Sequence, residues 1–514
     1  MGIFVASNSE GTPPSERLGG ARDLTSGPIG RTLLLFSLPV MGSNILQSLN
    51  GSANAFWVSH ALGEAALTAT SNANNILFLL LGVVFGISMS ANMLISQAVG
   101  ARDQALVKQV VGTSATFFLV LSVLVGMLGF ALTPAILTAM GTPPDARLDA
   151  IAYLRVIFLA IVFIYFFYFL MMAMRGAGDS RTPFMFSLMT VGLDVVLNPV
   201  LIMGLGPAPK MGIAGSATAT LIAQTITLTA MLIHLYRSRS ILVLRPSEWR
   251  VLIPDPAILK SLVFKGLPMG FQMLVISGSA VVMISMVNGY GSHTAAAYGA
   301  GLQLWTYVQM PAMALGAAVS SMAAQNVGAG RMDRVDRIAG IGTLYGLGMT
   351  AVPVALIYLI EGYALRLFLP GDSPSLPIAA HMNHIVLWGF IPFGVTFVIT
   401  GLVRSTGAVW APLFAIILSG WIVRIPFAMI LKAHFGVDAV WWSFPLGSIV
   451  ATAYLGAYYK WGGWRKARLL DTMPRGSVPD TGQGAPAGVE ESEVAAEIAR
   501  QAASPAPRAD SDAR

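Results

Sequence analysis

Asp194 offers the most chemistry in this sequence, because it is a carboxylate in the middle of a long apolar stretch while the other acids fall in loops, stretch ends or tails. A charge at the centre of a membrane helix costs about 2.5–3.5 kcal/mol on insertion scales, so it is rarely there without a task. Alone, such a carboxylate can take up a proton. With amide and hydroxyl oxygens around it, it can hold Na+, a hard cation that prefers oxygen. Asn198 lies one turn later on the same helical face. Ser216, Thr218 and Thr220 stand near the start of the next apolar stretch and can add hydroxyls, while Asn44, Gln47 and Asn54 share one face of the first, with Asn50 slightly off it. The cation-binding set read from these positions is Asp194, Asn198, Asn54, Ser216 and Thr220. Amides in membrane helices also serve as interhelical glue at about 0.6 kcal/mol each. For Asn44 and Asn50 the two readings stand equal.

The obvious structural partner for Asp194 is Arg424, deep in another apolar stretch. Pro426, however, deprives the carbonyl of Ile422 of its helical donor, so Arg424 is expected to cap freed backbone oxygens in its own bundle. Gln47, Trp57, Gln272, Met273, Gln303 and Tyr307 are candidates for the wall of an adaptable substrate cavity, with Trp305 and Met310 beside them. His381 and His384 are spaced for one helix face near a stretch end; without further ligands they are read as a solvated pair rather than a metal site.

The elements that must position these residues follow from composition. The chain has 514 residues, 55% hydrophobic and only 11% charged, with a mean hydropathy of +0.70. Globular domains carry about 25% charge, so a water-soluble enzyme is excluded. There is no cysteine, which removes disulfides and thiolate chemistry. Twelve apolar stretches stand between clumps of charge, at about 33–53, 70–95, 109–133, 151–173, 183–204, 213–236, 267–288, 295–322, 339–360, 383–403, 412–432 and 439–460. Each is long enough to cross a bilayer as a helix. Residues 1–31 are polar and read as a cytoplasmic tail rather than a signal peptide, and residues 467–514 as a disordered tail with a brief helix near 489–503. Lys and Arg crowd alternate loops, among them Arg102, Lys108, Arg175, Arg181, Arg237 to Lys265, Arg331, Arg334, Arg337 and Arg404. The positive-inside rule then places both termini in the cytoplasm of a multi-pass inner-membrane protein. The net charge of +7 speaks to this orientation and not to nucleic acid.

An internal repeat organises the spans. Leu38-Pro39 recurs as Leu267-Pro268, the turn Gln97-Ala98-Val99-Gly100-Ala101 as Gln325-Asn326-Val327-Gly328-Ala329, Arg175 with Gly178 and Pro183 as Arg404 with Gly407 and Pro412, and Gly63 as Gly291, always at an offset of 228 or 229. One six-helix unit has been duplicated almost without insertion. Six is even, so the copies share an orientation and are related by a pseudo-twofold axis along the membrane normal, with a substrate path between them. The expected organisation is an all-α polytopic membrane protein of twelve helices: a bundle over 32–240, a cytoplasmic linker over 241–262 and a second bundle over 263–466. Gly82-x-x-x-Gly86 and Gly266-x-x-x-Gly270 are expected to let helices approach closely.

The Leu-Pro starts, the Gln-x-Val-Gly-Ala turns and the Arg-x-x-Gly-x-x-x-x-Pro turns, in this order and duplicated over roughly residues 30–465, resemble the multidrug and toxic compound extrusion (MATE) family of cation-coupled antiporters. The resemblance implies two six-helix lobes around a V-shaped cavity, export of organic and often cationic compounds, and energy from inward Na+ or H+ flow, with no cofactor. Two departures stand out. Where members show Asp-x-x-Trp-Val in the first helix and Asn-x-x-Leu-Asp-Pro in the fifth, this chain has Asn54-Ala55-Phe56-Trp57-Val58 and Asp194-Val195-Val196-Leu197-Asn198-Pro199. The carboxylate is thereby moved along the helix by about 6 Å. A Glu present in the seventh helix of some members is also missing from Ile276 to Ser279.

No Gly-x-x-x-x-Gly-Lys-Ser/Thr phosphate loop occurs, which leaves an ion gradient as the energy source. Three function classes can be weighed. The first is a monomeric exporter of small organic compounds in exchange for Na+ or H+. The second is a flippase for a lipid-linked glycan, which would need several deep cations to hold a pyrophosphate, where only Arg424 lies deep. The third is an intramembrane enzyme, for which no His-Glu-x-x-His or Gly-x-Ser-Gly signature and no aspartyl pair is present, the Gly-x-Gly-Asp at Gly176-Ala177-Gly178-Asp179 lying in a loop between apolar stretches.

Overall fold

The computed structural model describes residues 23–467. They form twelve long helices and, among the described residues, no strand. The helices are α1 Ile29–Leu62, α2 Glu64–Gly100, α3 Gln104–Ala139, α4 Pro144–Gly176, α5 Arg181–Met203, α6 Ile213–Arg237, α7 Pro256–Asn288, α8 Ser292–Gly328, α9 Met332–Arg366, α10 Ser375–Ser405, α11 Trp410–Phe435 and α12 Asp438–Trp461. Every expected span is present and most are longer, because hydropathy marks only the part immersed in lipid while helical hydrogen bonding runs on into the polar ends. Ten of the twelve are apolar enough to be recognised as membrane spans on composition alone. One of the other two, α8, carries Ser320, Ser321, Gln325 and Asn326, all buried against other helices rather than lipid. The expected tail helix near 489–503 lies outside the described residues.

Local sequence explains the helix boundaries. Asp103 caps α3 by accepting from the Leu106 amide at 2.8 Å. Asp255 does the same for α7, accepting from Ala257 and Ile258 at 2.8 and 3.0 Å. That cap starts α7 at Pro256, so the last third of the expected linker is already helix. The remainder, with a short 3-10 turn over Pro246–Leu252, is docked on α3. Lys108 pairs with Glu248, Gln109 donates to Asp255 at 3.2 Å, and Thr116 donates to the Leu252 carbonyl at 2.7 Å. The duplicated Arg-x-x-Gly turns need glycine, since Gly178 and Gly407 hold φ of +87° and +91°, a region costly for other residues.

The helices pack as two lobes, α1–α6 and α7–α12, that exchange their first segments. Leu24, Ile29, Leu33, Phe36 and Val40 pack into a core cluster made otherwise of second-lobe residues such as Ala314, Val319, Ile338 and Leu402. Reciprocally, Ile258, Leu262 and Met269 from α7 join the core of the first lobe. Where the lobes cross, the two Gly-x-x-x-Gly motifs face each other: a Cβ at Gly86 would stand 2.6 Å from the Gly266 carbonyl oxygen, and one at Gly270 2.9 Å from Val83 Cα. Backbones can approach that closely only without side chains.

At the end that carries the basic loops the repeated Gln-x-Val-Gly-Ala turns lock the lobes together. Gln97 donates to the Ser405 carbonyl at 2.6 Å. Its repeat partner Gln325 donates to the Gly176 carbonyl at 3.0 Å. Added Cβ atoms at Gly100 and Gly328 would overlap the backbones of Gln325 and Gln97, respectively. The segment before α1 is strapped over this junction. The Leu24 amide donates to Gln325 at 2.9 Å, Arg331 donates to the Thr25 carbonyl at 2.8 Å, and Arg334 donates to the carbonyls of Ser26 and Gly27 at 2.9 and 2.7 Å. Burial raises the Asp23 carboxyl, but hydrogen bonds from Thr25 and Ser26 and the nearby Arg102 outweigh it and hold the group below its ordinary range.

Candidate functional site

Asp194 lies on α5 inside the first lobe and is 1% exposed. Among the described residues no Lys or Arg pairs with it; its partners are neutral. Thr220 on α6 donates to Asp194 Oδ1 at 3.1 Å, and the Asn50 amide from α1 is directed at the same carboxylate. Asn198 does not bond the carboxylate. Its Nδ2 turns back to the Asp194 backbone carbonyl at 2.9 Å, the i, i+4 bond that a side chain one turn on can reach. Ser216 also stands off, donating to Asn54 Oδ1 at 2.6 Å. Tyr153 on α4 is buried and hydrogen-bonds Asn54.

The pocket is therefore built from α1, α4, α5 and α6 around one carboxylate, and it is rich in oxygen. Asn50 Oδ1 and Asn198 Oδ1 are both buried without a donor. Buried acceptors without partners cost roughly 1–3 kcal/mol each, and these two belong to residues that contact Asp194, Asn50 at its carboxylate and Asn198 at its backbone carbonyl. Of the five cation-site residues read from the sequence, the structure brings Asp194 and Thr220 into direct contact and links Asn54 with Ser216. It adds Asn50, whose functional and glue readings had stood equal, and Tyr153, for which the sequence holds no signal because a tyrosine in an apolar helix looks like any belt or core aromatic.

The candidate cavity residues are distributed unevenly. Gln47, Gln303 and Tyr307 are exposed, the first accepting from the Tyr168 hydroxyl at 3.3 Å. Trp57 packs against the first-lobe core. Met273 sits at the crossing of α2 and α7, where a Cβ on Gly82 would meet its own Cβ at 3.1 Å. Gln272 is 2% exposed and accepts from the Arg404 guanidinium, which makes it an interhelical contact rather than a surface offered to a ligand.

One expectation for the second lobe needs correction. Among the described residues Arg424 makes no hydrogen bond to a backbone carbonyl, and its Nε has no acceptor. The helix meets Pro426 differently, by widening to a π-turn over Leu418–Arg424 in which the Ile425 amide reaches the Gly420 carbonyl. The guanidinium instead lies over the Phe444 ring, 3.8 Å from its centroid. His381 and His384 are both largely exposed, as expected of a solvated pair; His381 Nε2 is 3.0 Å from Asp438 Oδ1, while His384 Nδ1 lies 2.8 Å from the Ala380 carbonyl of its own helix and 3.6 Å from Glu361 Oε2.

Twelve membrane helices in two duplicated lobes, with an unpaired oxygen-ringed carboxylate buried in one of them, define a polytopic protein built on the architecture of secondary transporters. The MatE family model matches it twice, over residues 39–200 and 268–430. The chain is 34% identical over 443 residues to the probable multidrug resistance protein YoeA of Bacillus subtilis, covering 86% of this chain and 95% of that one. It is 24% identical over 420 residues to the multidrug export protein MepA of Staphylococcus aureus, covering 81% and 90%. The solved outward-facing structure of a multidrug resistance MATE family transporter shares the fold, with a TM-score of 0.77 at 20% identity over 87% of this chain and 98% of that one. This chain belongs to the MatE family.

Proposed function

We propose that the protein is a secondary active multidrug efflux transporter of the inner membrane, working as a monomer with both termini cytoplasmic, which exports organic cationic compounds by alternating access. In this reading the basic, strapped end is the cytoplasmic end. The contacts joining Gln97 with Ser405 and Gln325 with Gly176 then form a closed inner gate.

Among the two coupling ions left open by the sequence, the pocket favours Na+. The observation that carries this is the pair of donorless oxygens on Asn50, which hydrogen-bonds the Asp194 carboxylate, and on Asn198, which hydrogen-bonds its backbone carbonyl. A cation that prefers oxygen ligands can satisfy both amide oxygens and the carboxylate together. A single proton on Asp194 can serve one acceptor at most. Uptake of the ion neutralises Asp194 and draws α1, α5 and α6 together, and this gives the ion different affinities for the two orientations, as coupling requires.

The test is efflux of a fluorescent organic cation from proteoliposomes under an imposed Na+ gradient and, separately, an imposed pH gradient. Drive by Na+ at constant pH is expected. Drive by the pH gradient alone, with none from Na+, would overturn the assignment of the ion while keeping the transporter reading.

A further inference from the structure

The connection between the lobes, from the end of α6 into the first turns of α7, is strongly basic, and the mechanism above does not use it. Residues 237–265 hold six cations against two acids. Both acids are occupied within the protein. Glu248 pairs with Lys108 and accepts from the Arg245 amide, while Asp255 caps α7 and accepts from Gln109. Arg250 and Lys260 are exposed, and among the described residues neither has an acidic partner.

Docking on α3 fixes the depth of this stretch. A Cβ on Gly112 would stand 2.1 Å from the Val251 carbonyl oxygen, so the short turn lies directly on the helix. Thr113 accepts from the Asp255 amide at 3.2 Å, and Thr116 donates to the Leu252 carbonyl at 2.7 Å. From Lys108 to Thr116 these contacts cover about 12 Å of helix rise. The apolar stretch of α3 begins within them, so the turn lies in the membrane interface, whose polar layer is roughly 5–8 Å deep on each side. There the stretch turns apolar groups outward: Trp249 is 60% and Ile253 62% exposed, and the Arg250 guanidinium lies 5.9 Å from the Trp249 ring centroid. The start of α7 repeats the pattern, with Lys260 followed on the same face by the exposed Phe264 and Leu267. Cations at headgroup level with indole and aliphatic groups beside them match the boundary between polar layer and acyl chains.

We propose that this connection binds the headgroup of an anionic phospholipid in the leaflet it lies against, through Arg250 and Lys260, with Trp249 and Ile253 seated at the acyl boundary. Arginine offers phosphate oxygens a planar N–H fork and lysine a point charge, and neither cation here is neutralised by the protein itself. Ile258 and Leu262, just beyond, belong to the core of the first lobe, so a lipid held here pins the segment that crosses between lobes to the first of them. In the topology proposed above, the leaflet is the cytoplasmic one.

The test places a bimane on Ser247→Cys, an exposed position of the turn in a chain with no native cysteine. The labelled full-length protein is reconstituted in phosphatidylcholine vesicles in potassium buffer. A small fraction of the lipid is either phosphatidylglycerol or phosphatidylcholine bearing a nitroxide high on the acyl chain. Half-quenching should need roughly fivefold less of the nitroxide phosphatidylglycerol, about the factor that one cation near a membrane surface supplies. With Arg250→Gln and Lys260→Gln added, the two lipids should come within about twofold of each other. Trp249→Ser should instead reduce quenching by both, since the turn then sits farther from the acyl chains. Should the double variant fail to fold, salt decides: raised KCl should remove the preference by screening and leave quenching by phosphatidylcholine in place. Equal quenching by the two lipids in the singly labelled protein, quenching by neither, or a preference that survives in the double variant would overturn the surface. Loss of the preference to inorganic phosphate at constant ionic strength would also overturn it, assigning the cations to a free anion. No ion gradient enters the readout, so this surface and the efflux reading fail separately.

Discussion

The two lobes are copies of one six-helix unit, yet at corresponding depths they hold opposite charges in opposite surroundings. In the first, the Asp194 carboxylate meets the neutral polar groups of Thr220 and Asn50, with Asn198 bonded to its backbone carbonyl. In the second, Arg424 lies on Phe444 within a cluster of aromatic rings. Duplication supplied the same helices twice, and side-chain changes left neutral oxygen-bearing groups around the charge in one copy and aromatic rings in the other. Chemistry has diverged at the sites, whereas the junction between lobes has stayed nearly symmetric, with Gln97 and Gln325 performing the same bond in both directions.

The largest effect should come from removing the charge that distinguishes the first lobe. Asp194→Asn should reduce gradient-driven efflux to background with expression and insertion near normal, because losing a buried charge does not destabilise a membrane helix. Proteoliposome transport checks this, and wild-type rates in the variant would sink the assignment of the lobe's role.

The next effect probes the shared junction. Gly100→Val places a side chain on the Gln325 backbone, where even a Cβ overlaps, so the inner gate should fail to close. Spin labels on Gln104→Cys and Asp333→Cys, clean in a chain with no native cysteine, should report a longer distance than in the Gly100 background. Gly328→Val should do the same if the junction is symmetric. A distance unchanged in both, with transport retained, would show that the turns are packing elements only.

A smaller, more specific effect is expected from Thr220→Val, which removes one hydroxyl ligand of Asp194. The apparent Na+ affinity should weaken several-fold, in line with about 1 kcal/mol for a hydrogen bond, while maximal efflux stays close to wild type. A Na+ titration of efflux rate decides it.

The smallest change concerns the linker, which lies outside both pockets. Burial raises the Glu248 carboxyl, but hydrogen bonds from the Arg245 amide and Lys108 outweigh it and hold it below its ordinary range. Its stabilisation is thus complete above the ordinary carboxylate pKa and is lost as pH falls through the lowered one. Glu248→Gln should cost no more than about 1 kcal/mol, as partly exposed ion pairs do, and should flatten the acid side of a thermal-stability profile. Transport at neutral pH should be unaffected.

The order of the helices, their number and their duplication were legible in the sequence because a bilayer imposes one length and one polarity rule on every span, and a repeat keeps its offset whatever the packing. The cost of a charge in hydrocarbon likewise singled out Asp194 and Arg424, since that cost depends on depth along one helix and on no neighbour. Which groups meet those charges was decided by tertiary structure alone. Helical spacing puts Asn198 on the face of Asp194, but the amide reaches the backbone carbonyl of its own turn, and it is Thr220 from α6 that touches the carboxylate. Tyr153 reaches Asn54 from α4, and Arg424 passes over the carbonyls freed by Pro426 to rest on a ring of α12. Each of these is a contact between helices, fixed by their rotation and crossing. Periodicity constrains the face of one helix and carries no information on which face of another will be turned toward it.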